Sequence, residues 1–196
     1  MRELESCVEK IKLKKAPGPD GMAPELVKII LYETPVACLK MMNKILSKGE
    51  IPKIWKRVRV VLIPKATLGN NIRVVKYLPL CLLGVWSKLL QHLVLTRLNK
   101  AIEDSGGVSE RQFGFRPRMP TLDAMKRLQD FVTEHTCQTY RHKKMCILVT
   151  FDIQNAFNTV PWGGLVEIVE KRGLPAYLRR MILSYLNGLD PEGRNR

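Results

Sequence analysis

One apolar run, Met145-Cys146-Ile147-Leu148-Val149-Thr150-Phe151, ends in a single carboxylate, Asp152, and constrains the fold more than any other stretch. Its continuous apolar character and its length predict a buried strand over Met145–Asp152. The chain then turns sharply through Gln154 and Asn155 and places an aromatic, Phe157, a few residues on. Two roles stand open for Asp152: it caps the turn after the strand, or it offers hard oxygens to a divalent cation. Phe157 likewise reads either as ordinary core packing or as a ring set beside a bound ligand.

Helical spacing surrounds that strand. Leu4, Val8 and Ile11 share one side of a helix expected over Glu3–Lys14. Lys14 to Gly21 then reads as a rigid double turn, because each Pro fixes a dihedral and each Gly permits positive φ. Helices are expected from Pro24 through Tyr32, a favourable start for Pro, and from Val36 to Ser47. The β-branched run within Trp55–Ile63 predicts a strand ending at Pro64, with Lys65 just beyond. Ala66–Lys76 reads as a loop or hairpin tip, and Leu80–Leu83 as a short apolar stretch. A long helix over Val85–Ile102 turns Leu89, Leu90, Leu93, Val94 and Leu98 inward. Arg111–Pro120 is irregular, and Thr121 suits the N-cap of the next helix. Two more helices follow, about Leu165–Arg172 and Pro175–Leu186, before a polar end. Helices outnumber strands and separate them, which makes the class α+β.

At 196 residues and 45% hydrophobic, the chain buries a core for one domain or one and a half. The formal charge of +15 attracts polyanions, of which nucleic acid is the commonest. That charge is concentrated. From Ile51 to Lys100 there is no Asp or Glu, while Lys53, Lys56, Arg57, Arg59, Lys65 and further cations stand among Val, Leu and Ile. Such a stretch is a folded basic module, not a disordered tail. Five scattered cysteines point to free thiols in a reducing compartment. His135, Cys137, His142 and Cys146 fall close together, but without a Cys-x-x-Cys pair chance clustering is the better account than zinc. The charged start, Met1-Arg2-Glu3-Leu4-Glu5, argues against a signal peptide. No apolar run is long enough to span a bilayer.

Several segments, taken in order, resemble the N-terminal portion of the reverse transcriptase domain of LINE-type (non-LTR) retrotransposons. They are Lys15-Ala16-Pro17-Gly18-Pro19-Asp20-Gly21, Ile51 to Lys56, Val61-Leu62-Ile63-Pro64-Lys65, and Pro79 to Leu83 with Lys88-Leu89-Leu90. Gln112-Phe113-Gly114-Phe115-Arg116, Thr121-Leu122-Asp123-Ala124, and Phe151-Asp152 through Val160-Pro161-Trp162 complete the series. Each is weak alone; their order and spacing from about Leu13 to Leu186 carry the resemblance.

The resemblance implies a right-hand polymerase: fingers over residues 1–120 and the first part of the palm over 121–196. It implies template-directed nucleotidyl transfer with RNA template, DNA primer, deoxynucleoside triphosphates and Mg2+, in an intracellular protein of the nucleus or cytoplasm. Asp152 becomes a metal ligand, with the Ile153 carbonyl beside it, and Phe157 a steric gate against the 2′-hydroxyl. Backbone N–H groups of Asn155 and Ala156 face the triphosphate, as turn amides do for anions, and Lys65 meets its phosphates. Gln112, Phe113, Phe115 and Arg116 combine hydrogen bonding, stacking and charge to grip a nucleic-acid strand. The bland alternatives are an exposed lysine at position 65 and a loop pinned by its two rings.

Three positions depart from the family pattern. Leu78 stands where an Arg is usual, Gln91 where a Glu is usual, and Met119-Pro120 where a small Gly- and Ser-containing turn is usual. Leu78 cannot imitate a forked cation. The resemblance also puts the second catalytic motif, with its paired aspartates, beyond Arg196, and no endonuclease before the match. One carboxylate cannot hold two cations, so the 196-residue chain is expected to lack polymerase activity by itself. The alternative is a basic remnant that binds nucleic acid without chemistry.

Overall fold

The computed structural model describes residues 2–64, 77–116, 119–136, 145–153, 156 and 159–187. In chain order the elements are α1 (Arg2–Glu9), α2 (Pro24–Glu33), α3 (Pro35–Lys48), a 3-10 turn (Lys53–Lys56), β1 (Val58–Pro64), β2 (Tyr77–Leu83), α4 (Val85–Asp104), α5 (Thr121–Thr136), α6 (Trp162–Lys171) and α7 (Ala176–Leu186). Helices with one small antiparallel sheet make the class α+β. They form two compact units: one runs to Ser105 and resumes at Trp162, the other is Gly106–Pro161.

In the first unit, α4 is the helix around which the others pack. Leu89, Leu90 and Leu93 lie on one face of it and are almost fully buried. They join Leu4 and Cys7 of α1, Val27 and Leu31 of α2, Cys38, Met42 and Leu46 of α3, and Met181 of α7 in one core. Local chemistry sets the helix ends. Pro24 and Pro35 occupy first-turn positions, where the missing N–H costs nothing. Gly49 closes α3 in the left-handed region at φ 69°, its N–H donating to the carbonyls of Ile45 and Leu46.

Polar contacts then fix how the helices meet. The Arg97 guanidinium of α4 grips Glu3 of α1 with both arms, Nε to Oε1 at 2.9 Å and Nη2 to Oε2 at 2.7 Å. The Ile51 N–H donates to Ser184 Oγ of α7 at 2.9 Å, and Lys56 Nζ donates to the Asn187 carbonyl at 2.9 Å. The Lys15–Gly21 turn docks against the start of α4. A Cβ on Gly18 would lie 2.5 Å from the Gly84 Cα, and a Cβ on Gly84 2.5 Å from Asp20 Oδ2. Two facing glycines therefore permit this backbone approach.

β1 and β2 pair antiparallel, from Val58 opposite Leu83 to Pro64 opposite Tyr77. The ribbon begins later than the sequence suggests, because Lys53–Lys56 winds into the 3-10 turn. Its second strand starts earlier, at Tyr77, because β1 supplies a partner along its whole length. Helix α1 ends at Glu9, short of the expected Lys14.

The larger correction concerns Met145–Ile153. This segment has no strand assignment, and every residue in it is exposed, Phe151 by 91%. Apolar composition supplies the propensity, but a strand exists only through a neighbour's hydrogen bonds. Among the described residues the sole sheet is β1–β2, so this segment has no ladder to join. The second unit as a whole contains no buried residue among those described.

Gly18→Ala should destabilise the first unit by about 1–3 kcal/mol through overpacking, whereas Gly114→Ala, with open space around it, should be close to neutral; chemical denaturation of both variants checks this. The Arg97 hydrogen bonds hold the Glu3 carboxyl below its ordinary range. Such a group stabilises the fold above its unfolded pKa, and the contribution fades as pH falls through the lower folded value. Thermal melts from neutral to acid should therefore show Glu3→Gln least stable relative to the parent near neutrality, with the gap closing in acid.

Candidate nucleic-acid interface

The second unit carries the exposed chemistry. Ser109–Arg116 folds as a run of turns held by its own side chains. The Gln112 N–H donates to the Ser109 carbonyl at 2.9 Å, and Gln112 Nε2 donates to the Gly114 carbonyl at 3.3 Å. Arg116 Nη1 donates to the Ser109 carbonyl at 3.1 Å. Phe115 occupies the left-handed region at φ 58° and is 98% exposed. A bulky aromatic seldom adopts that conformation, and outliers of this kind gather at ligand-contacting sites.

Phe113 is less exposed. It is half-buried, and the Arg127 guanidinium of α5 sits 5.6 Å from its ring centroid. Arg127 Nη1 also donates to the Glu110 carbonyl at 3.2 Å. One ring thus pins the loop while the other stands in solvent, which divides the two roles the sequence left open between two residues. Helix α5 begins at Thr121 itself, the Asp123 N–H donating to the Pro120 carbonyl at 3.0 Å. Lys126 and Arg127 line a shallow groove of about 240 Å³ with Phe113, Met119, Asp123 and Asp130. Sequence reasoning missed these two cations; their place in the second turn of the helix that follows the Gln112–Arg116 block was the available signal.

Asp152 is exposed near the end of Met145–Ile153, and Ile153 is 71% exposed. Ala156 is exposed in a turn, with its carbonyl accepting from Thr159 Oγ1 at 3.3 Å. Lys65, Asn155 and Phe157 lie outside the described residues, as do Cys137 and His142 of the His/Cys cluster. The donor set does not fit a pair of divalent cations. Among the described residues no three His, Cys, Asp or Glu side chains converge, and Asp152 supplies one carboxylate where such a site needs several. No described helix is long and apolar enough to cross a membrane.

Leu78, where the family pattern has an Arg, sits on β2 opposite Ile63 and is 45% exposed. Gln91, in place of Glu, has Nε2 donating to the Tyr185 hydroxyl at 3.4 Å. Burial pushes that hydroxyl up from its ordinary pKa.

Residues 63–196 match the family described as reverse transcriptase (RNA-dependent DNA polymerase). The chain is similar to the probable RNA-directed DNA polymerase from transposon BS of Drosophila melanogaster, 30% identical over 186 residues, covering 95% of this chain and 20% of that protein. It is similar to the RNA-directed DNA polymerase from mobile element jockey of the same organism, 28% identical with the same coverage. A third similar protein, the putative 115 kDa protein in type-1 retrotransposable element R1DM, is 27% identical over 84% of this chain and 15% of its own length. These relatives come from non-LTR elements, as the motif order implied. The chain spans about a fifth of the length of the curated relatives it matches.

Hydrogen exchange followed by mass spectrometry should find the amides of Met145–Ile153 unprotected in the isolated chain, and the β1–β2 ladder protected. Protection of Met145–Ile153 equal to that of the ladder would contradict the exposed placement.

Proposed function

Because the chain belongs to the reverse transcriptase (RNA-dependent DNA polymerase) family, we propose that it is a portion of a non-LTR retrotransposon polymerase that contributes nucleic-acid contacts and one metal-binding carboxylate. In this reading residues 1–120 are fingers and 121–196 the first part of the palm. Template RNA and DNA primer meet Gln112, Phe115 and Arg116, with Phe113 anchoring their loop. Lys65 and the turn amides at Asn155 and Ala156 receive a deoxynucleoside triphosphate, and Phe157 sits under its sugar. Asp152 and the Ile153 carbonyl are the oxygens this chain offers to Mg2+.

The observation that carries the reading is the placement of Asp152. It stands in solvent within the exposed apolar segment Met145–Ile153, not in apolar packing. A carboxylate presented this way is available to further acids brought alongside by a strand pair. The chain by itself has no such acids converging among the described residues, so no catalytic step is assigned to it alone. The second reading is a basic nucleic-acid-binding remnant without chemistry, which the acid-free basic stretch Ile51–Lys100 supports.

Primer extension separates the two. The 196-residue chain should incorporate no nucleotide, and a longer protein that contains it should incorporate deoxynucleotides on an RNA template. In that longer protein Asp152→Asn should abolish incorporation and leave RNA affinity within about twofold, since the removed charge repels phosphate if anything. Incorporation at the parental rate by Asp152→Asn would end the metal-ligand assignment.

A further inference from the structure

The first unit carries a basic groove that the polymerase reading does not use. It lies between the last two turns of α3 and the 3-10 turn and encloses about 450 Å³. Lys44 and Lys48 lie one turn apart on the same face of α3, and Lys53 enters from the 3-10 turn. All three are exposed, and none pairs with an acid among the described residues. Met41, Pro52 and Trp55 form an apolar floor, and Glu50 is the single carboxylate in the lining.

The floor is held firmly. Trp55 stacks nearly parallel on the buried Trp86, with ring centroids 6.2 Å apart and planes 7° apart. Ser87 Oγ donates to the Trp55 carbonyl. Lys56 is already committed to the Asn187 carbonyl and Ile51 N–H to Ser184, so the turn is fixed to α7. The result is a half-buried indole in a groove with three ammonium groups that have no acid partner among the described residues.

We propose that this groove holds a single-stranded nucleic-acid segment, with Lys44, Lys48 and Lys53 on its phosphates and one unstacked base against Trp55. Lysines track a phosphodiester backbone as point charges, and an aromatic floor accepts any base by its π-face. A duplex offers no free base face to the indole, so single strands are preferred. The inference rests on the reading that this chain works on nucleic acid, and adds a binding surface in the first unit that the residues of the second unit do not provide.

The test is binding of a short fluorescent uridine-rich RNA to the full chain, followed by anisotropy across a salt series. The groove variant is Lys44→Gln/Lys48→Gln/Lys53→Gln, and the control Lys10→Gln/Lys12→Gln/Lys100→Gln removes the same charge from exposed positions elsewhere. The slope of log affinity against log salt should shrink by about 2 in the groove variant, at about 0.7 for each phosphate no longer neutralised, and by much less in the control. RNA should quench tryptophan emission in the parent, and Trp55→Phe should remove most of that quenching. Single-stranded DNA should behave as RNA does, and duplex DNA should bind more weakly. Equal slope reductions in the two triple variants would mean diffuse attraction and would overturn the groove. So would a polyglutamate peptide that displaces the RNA at matching affinity. A parent chain that binds no RNA even at low salt would remove the nucleic-acid reading itself along with this site.

Discussion

Burial of one face of α4 is the constraint on which the first unit rests. Leu89 and Leu90 are at most 1% exposed, and they touch a core drawn from α1, α2, α3 and α7. Segments from both ends of the sequence therefore meet on one helix. Each buried leucine contributes on the order of 1.5–3 kcal/mol, so the helices hold their places without a large sheet. The Lys15–Gly21 turn, the Trp55–Trp86 stack and the Glu3–Arg97 fork are all anchored at successive levels of α4 or at its start. A change in that helix would reach every one of them.

The second unit has no equivalent. None of its described residues is buried, and the apolar side chains of α5, among them Leu122, Met125 and Phe131, stand exposed alongside those of Met145–Ile153. Turns and helix propensity keep it organised locally through Gln112, Arg116 and Arg127. Among its described residues there is no buried apolar core. This matters for the carboxylate at position 152, since a metal ligand must be held within a fraction of an ångström to be useful. Among the described residues, this exposed segment has no ladder to supply that rigidity.

The two units also divide the electrostatics. In the second, Arg116 and Arg127 spend hydrogen bonds on backbone carbonyls and so shape the loop that presents Phe115. In the first, Lys44, Lys48 and Lys53 line a groove with Trp55 and pair with no acid among the described residues. Net charge is shared by both, but only fixed geometry turns charge into a groove of defined shape.

The presence of each helix was legible from local signals, although α1 ends earlier than expected and α6 begins earlier, at Trp162. Pro24 at a helix start, Gly49 past a helix end and the inward leucines of α4 are local signals, and α4 begins at the expected Val85. The motif order identified the family without any structure. Three kinds of information were not local. Whether Met145–Ile153 is a strand depends on a partner, and apolar composition cannot supply one. That Gly18 faces Gly84, far along the chain, follows from docking, not spacing. That Trp55 and Lys53 belong with Lys44 and Lys48 follows from the way α7 and Ser87 fix the 3-10 turn. The sequence by itself determined which stretches are helical, the charge and the kinship, because propensity, capping and motif order act over a few residues. Tertiary structure alone decided which apolar segment found cover and which cations shared a groove, because both depend on packing between residues far apart in the chain.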